Sequence, residues 1–213
     1  MSESVVNNPI DHIVWAVPEL ATGMEQIREL TGITPVYGGR HLQFGTHNAL
    51  LSLGERCYFE IIAPDPDNKE VPAPRWMGVD LIDTGQITRW ALGTSQLSAN
   101  AQHLSAVNKG LARTTEGQRL TASGDLLKWQ LSVPQPAPLC ETIPFLIDWQ
   151  DSRHPAEGLN ASCHIINFSI IDPKAKVLRH LLEKLRSDIA VEEGPVPKLK
   201  LELQTPLGRV TIS

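Results

Sequence analysis

Three times along this chain a short apolar run is followed by apolar residues at helical spacing. The first run, IDHIVWAV from Ile10 to Val17, reads as a buried strand. Beyond Pro18 and Glu19, the residues Leu20, Met24, Ile27 and Leu30 share one face of a helix, and Gly32 supplies its stop. The second run is ITRWALGT from Ile87. Ser95 or Ser98 caps the helix behind it, Leu97, Ala101, Leu104 and Val107 form its stripe, and Gly110 ends it. The third is HIINFSII from His164, with Asp172-Pro173 as a helix start and Leu178, Leu181, Leu182 and Leu185 as the stripe.

Strand-like segments follow each helix. In the first unit they are 35–37, 45–53 and 57–63, the last two joined by a Gly54-Glu55-Arg56 hairpin. In the second they are 125–133 and 143–149, and in the third 198–204 and 209–212, around Thr205-Pro206-Leu207-Gly208. Pro-rich stretches at 63–74 and 134–138 are connectors. The pattern predicts an α+β protein of repeated βαβββ modules with a third, shorter βαββ unit. It forms a single domain over 1–213, with module 1 at 9–63, a connector at 64–86, module 2 at 87–149 and a C-terminal unit at 162–213.

Charge narrows the partners. A net charge of -5 and a pI near 5.8 give no basic face for phosphates, and the densest basic stretch, Lys174 to Arg186, alternates with leucines as a solvated helix face. Nucleic acid is therefore excluded as the expected partner. No window has the roughly 20 apolar residues of a membrane span, and Met1–Pro9 lacks an apolar signal region. Cys57, Cys140 and Cys163 have no CxxC spacing and form no disulfide framework. The expectation is a soluble cytoplasmic protein. Neither a Ser-His-Asp pattern nor GxSxG is present.

Alternation along the strands places the candidate chemistry. His12, Val14 and Ala16 share one face of the first strand, and the bulkier Ile13, Trp15 and Val17 share the other. In CYFEIIA the lone charge, Glu60, shares a face with Tyr58 and Ile62. A buried carboxylate needs a cation, hydrogen-bond donors or a metal. Thr46, Asn48 and Ser52 fall on one face of their strand, against the greasier His47, Ala49, Leu51 and Leu53. A sheet polar on one face and apolar on the other suggests a cleft.

These residues carry a resemblance. Asp11-His12, Gly38-Gly39-Arg40-His41, Gly45-Thr46-His47-Asn48-Ala49-Leu50-Leu51 and Tyr58-Phe59-Glu60 resemble, in order and spacing, the glyoxalase-like domain of the vicinal oxygen chelate superfamily. The segments Arg89-Trp90-Ala91-Leu92 and 143–149 fit the same branch. The resemblance implies a curved mixed sheet, built by two modules around a cleft that holds metal and substrate. It implies a divalent ion (zinc, iron, nickel or manganese) bound by His12 on the first strand and Glu60 on the fourth. At the matching positions of the second module stand Arg89 and Leu146, neither of them a ligand. His164 or Asn167 is the offer of the third unit. His41 is the candidate third ligand or general acid/base, ahead of His154 and of His47, which alternation turns away unless a bulge flips it.

On that resemblance the expected function is metal-dependent lyase or isomerase chemistry on a small oxygenated substrate. The ion would polarise a carbonyl or enolate oxygen. His41 and Arg40 are the catalytic candidates, and Asn48, Arg89 and Trp149 the substrate-binding ones. Two alternatives stand beside it. One is metal-free sequestration of a small molecule, with Glu60 paired to Arg40 or Arg89. The other is a degenerate module serving a homodimer scaffold.

Overall fold

The protein was described from a computed structural model covering residues 7–121, 124–160 and 163–213. Its first unit is β1 (Ile10–Ala16), α1 (Leu20–Thr31), β2 (Val36–His41), β3 (Thr46–Gly54) and β4 (Cys57–Pro64). The second is β5 (Gln86–Gly93), α2 (Leu97–Ser105), β6 (Thr114–Leu120), β7 (Leu126–Ser132) and β8 (Phe145–Asp148). Together they make one eight-stranded mixed sheet in the order β2-β3-β4-β1-β5-β8-β7-β6. The two modules meet where β1 runs antiparallel to β5, while β1–β4 and β5–β8 are parallel pairs.

Local chemistry explains the elements. Glu19 caps α1 by accepting the backbone N–H groups of Ala21 and Thr22 at 2.9 and 2.7 Å, and Gly32 ends it in the left-handed conformation at φ 74°. Ile13, Trp15 and Val17 point to the helix side, where they join Leu20 and Ile27 in the larger core. Val14 and Ala16 point the other way, into a smaller core inside the curved sheet. The helix face is rotated from the expected one. Gly23 and Thr31 are buried with Leu20 and Ile27, and Leu30 is exposed.

The sheet curls until its two edges nearly meet. Across that seam the Arg119 guanidinium on β6 donates to the Gly38 carbonyl on β2, and the Gln43 side chain donates to the Glu116 carbonyl at 2.9 Å. A second sheet, β10-β9-β11-β12, covers the helix side. It is made of β9 (His164–Asp172), β10 (Ala190–Glu193), β11 (Lys198–Thr205) and β12 (Gly208–Ile212), with α3 (Ala175–Lys184) after β9. This unit has one strand more than the sequence pattern predicts. β10 is a short edge of mostly exposed residues, and it carries no hydrophobic alternation to reveal it. Among the described residues, no helix is long and apolar enough to cross a membrane.

Candidate active site

The inner face of the curved sheet gathers polar side chains from both modules. Parallel pairing of β1 with β4 puts His12 opposite Tyr58 and Val14 opposite Glu60, while β3 sets Leu50 opposite Glu60. His12, Tyr58, Glu60 and Asn48 therefore face one cavity, as alternation predicts. His41, Arg119 and the indoles of Trp76, Trp129 and Trp149 complete its walls. The cavity measures about 20 Å³, room for about one water molecule.

His12 is the centre of a chain of contacts. Its Nε2 lies 3.6 Å from Glu60 Oε2, and its Nδ1 lies 2.7 Å from Asp11 Oδ1. The ring stacks on Tyr58 with centroids 4.6 Å apart. A residue next to His12 in a strand would normally point to the opposite face. Asp11 does not, because the β1–β5 register slips between Ile10 and His12. That bulge turns the Asp11 carboxylate toward the histidine.

Asp11 is held by three donors. Besides His12, the Trp149 indole N–H donates to Oδ2 at 2.9 Å, and His154 Nε2 lies 3.2 Å from the same oxygen. His154 Nδ1 accepts the Ala156 N–H, so its proton sits on Nε2 and points at Asp11. Burial alone would raise the Asp11 pKa, but the hydrogen bonds and charges of the two histidines outweigh it and hold the group below its ordinary value. With Asp11 an ionised acceptor, His12 carries its proton on Nδ1. Its Nε2 faces Glu60 and the cavity.

Glu60 is fixed on its other side. Asn48 Nδ2 donates to Glu60 Oε1 at 2.5 Å, which sets the amide orientation. Neither Arg40 nor Arg89 pairs with it. Arg40 lies half-exposed against Asp65, with Nε 2.5 Å from Oδ2. Arg89 is buried, and its guanidinium donates to the carbonyls of Thr88, Gln135, Pro138 and Leu139, pinning the Pro-rich connector. The arginine that shares the cavity with Glu60 is Arg119, whose own pKa is lowered by burial and partly restored by Tyr58 and Glu60.

His41 is buried beside Thr46, its Nδ1 3.1 Å from the hydroxyl oxygen, and its Nε2 lies 3.5 Å from Asn48 Nδ2. Burial, with Arg119 and His12 adding positive charge, pushes its pKa down to about 3. It is a neutral imidazole at neutral pH. Tyr58 stays a phenol, because burial and the nearby Glu60 and Asp11 push its pKa well up. His47 is half-buried, against Tyr37 on the opposite face, as alternation predicts. His164 and Asn167 are exposed on the second sheet.

The donor set goes part of the way to a metal centre. His12 Nε2 and Glu60 Oε2 are spaced as two ligands of one ion could be, and Asp11 stands behind the imidazole as an orienting carboxylate does in metal sites. Yet no group of three His, Cys, Asp or Glu side chains among the described residues is arranged to hold an ion. Two donors fall short of the three protein ligands of a catalytic zinc, or of the two-histidine, one-carboxylate set of a non-haem iron.

Residues 10–186 match the family model of the glyoxalase-like domain. The chain belongs to that family. The resemblance to the vicinal oxygen chelate superfamily read from residues 10 to 63 is thereby borne out. A hypothetical protein from Staphylococcus aureus overlays this glyoxalase-like chain with a TM-score of 0.61 at 17% identity, covering 89% of this chain and 87% of its own. At that identity the likeness speaks for the fold alone. Methylmalonyl-CoA epimerase from Mycobacterium tuberculosis gives a TM-score of 0.44 at 20% identity over 70% of this chain and 91% of its own, too loose an overlay to place any of its residues here. The curated proteins include no match.

Sequence reasoning missed Asp11 and Arg119 as site residues. Asp11 could be found only through its bulge. Arg119 lies in Thr114–Leu120, TTEGQRL, where no apolar alternation announces a strand.

Proposed function

We propose that this glyoxalase-like protein is an enzyme of the lyase or isomerase type. It moves a proton at a carbon next to a carbonyl in a small oxygenated substrate, with His12 and Glu60 as the acid–base pair. The observation that carries the reading is the buried Asp11–His12–Glu60 chain, whose last two members line a cavity the size of one water molecule. A base held in one tautomer and shielded from bulk water is suited to proton transfer. The Arg119 guanidinium supplies positive charge for an enolate oxygen forming in the same space. Because the donor set falls short of a three-ligand metal centre, each of these steps is assigned to side chains.

Deuterium exchange in heavy water tests this on a panel of 2-oxo acids, 3-oxo acids and 2-hydroxy aldehydes, followed by proton NMR. Exchange should occur with at least one compound, survive EDTA, and fall about a hundredfold in His12→Ala and in Glu60→Gln. Exchange that disappears in EDTA and returns with zinc or manganese would establish the metal-dependent reading in its place. A second reading, binding without turnover, is favoured by a wider cleft of about 580 Å³ on the outer side of the seam. Tight binding with no exchange across the panel would select it.

A further inference from the structure

Among the described residues, Arg119 differs from Arg89, the other buried arginine, and from the partly buried Arg75. Arg89 donates to four carbonyls, and Arg75 is paired with Asp80. Among the described residues, the Arg119 guanidinium makes one hydrogen bond, to the Gly38 carbonyl, and no ion pair with a carboxylate. A guanidinium has five N–H donors. Holding one at 6% exposure with a single neutral acceptor is costly unless something else pairs with it.

Its position shows what that partner could be. Arg119 is a wall of the inner cavity with His12 and Glu60, and also a wall of the outer cleft of about 580 Å³. It is the one described residue that lines both. The outer cleft is rimmed by exposed apolar side chains, Tyr37 and Leu42 from one sheet edge and Leu126 from the other. The second arginine there, Arg40, is already neutralised by Asp65. The cleft therefore presents an apolar mouth with, at its inner end, one positive charge that forms no ion pair among the described residues.

We propose that Arg119 is the specificity-determining residue of the site, and that it admits an amphipathic monoanion. The apolar body of the ligand lies along Tyr37, Leu42 and Leu126, and its carboxylate draws the guanidinium off the Gly38 carbonyl and unlocks the way to His12. A carboxylate matches the planar fork of one arginine and its single charge. A phosphate dianion would need a second free cation, and Arg40 is taken. This inference rests on the reading of the inner cavity given under Proposed function, and it names the substrate class of that site.

The test uses the full chain and three probes of similar size: 4-phenylbutyrate, 4-phenyl-1-butanol and phenyl phosphate. Binding is followed by calorimetry and by tryptophan fluorescence, since Trp76, Trp129 and Trp149 line the inner cavity. The butyrate should bind at least about tenfold more tightly than the alcohol or the phosphate. Arg119→Gln should weaken it about tenfold or more, and Arg119→Lys less than that. Leu126→Asp, at an exposed rim position that folding tolerates, should also weaken the butyrate and leave acetate unaffected. Equal binding of butyrate and alcohol, butyrate binding indifferent to both Arg119→Gln and Leu126→Asp, or no butyrate binding to the wild type would each overturn the proposal. His12→Ala separates the two claims. If binding follows Arg119 while no compound exchanges its proton, the catalytic reading falls and this one stands. If exchange follows His12 while butyrate binding ignores the charge at position 119, the reverse holds.

Discussion

Two buried groups in the site titrate in acid, and they do so in different windows. His41 has its pKa lowered to about 3 from an ordinary 6.5 by burial and by the positive charges of Arg119 and His12. The unfolded chain therefore takes up the proton first as pH falls. Stability from this group is complete above about pH 6.5 and drains away as pH drops toward 3. Asp11 is lowered below 3.8, so its stabilisation is complete above that value and is lost at still lower pH. Between pH 7 and pH 5 the His41 contribution alone amounts to about 2 kcal/mol. Urea denaturation at the two pH values should show the wild type losing about that much more stability than His41→Gln. Matching losses in the two proteins would mean that His41 is not buried as a neutral ring.

Two strand irregularities build the site at the level of elements. In β1 the bulge at Asp11 brings a carboxylate behind His12. In β2 the register slips between Tyr37 and Gly39, so Gly38 lacks a partner in β3 and its carbonyl is available to Arg119. A Cβ on Gly38 would lie 2.3 Å from the Asn48 side-chain oxygen. The neighbouring Gly39, at φ 139°, holds a backbone conformation that other residues rarely adopt. Gly38→Ala should therefore push the Asn48 amide off Glu60 and cost about 1–3 kcal/mol. Chemical denaturation would give the stability, and the proton-exchange assay the effect on the site. A neutral result in both would mean that β2 can shift without disturbing Asn48.

The same features mark how far the sequence could be read. His12, Glu60 and Asn48 were legible because strict alternation in β1, β3 and β4 puts them on one face. Trp149 was named as a substrate-binding candidate on the resemblance, and its indole lines the cavity. Alternation fails where a bulge breaks the period, so Asp11 beside His12 stayed hidden. It also fails where a strand is polar on both faces, as in β6, which hid Arg119. Arg40 and Arg89 drew attention as charges near the cleft. Only tertiary contacts reveal that Asp65 and four backbone carbonyls hold them.

At the scale of the whole molecule, the question is whether the C-terminal sheet is an accessory or part of one folding unit. The larger core answers it in packing terms. Trp90 and Leu92 of β5 share that core with Phe168, Ile170, Leu178, Leu199 and Leu201, and the Trp90 ring lies 5.4 Å from that of Phe168. Asp172 at the end of β9 also accepts the Thr142 hydroxyl at 2.5 Å. Each such apolar side chain contributes about 1.5–3 kcal/mol by burial. Four or five of them together rival the roughly 5–15 kcal/mol that holds a whole domain folded. Detaching the second sheet would uncover the part of the helix side around Trp90 and Leu92, so the two should unfold together. The tryptophans offer a clean measurement, since all five lie in the first 149 residues. Fluorescence from Trp15, Trp76, Trp129 and Trp149 thus reports the main sheet and its cavity (Trp90, against Phe168, is replaced by Phe for this measurement), while far-ultraviolet circular dichroism also sees α3 and the second sheet. The two urea curves should coincide, with equal midpoints and slopes. A circular-dichroism transition preceding the fluorescence change would show that the second sheet peels away first, and that the His12 cavity stands on the eight-stranded sheet alone.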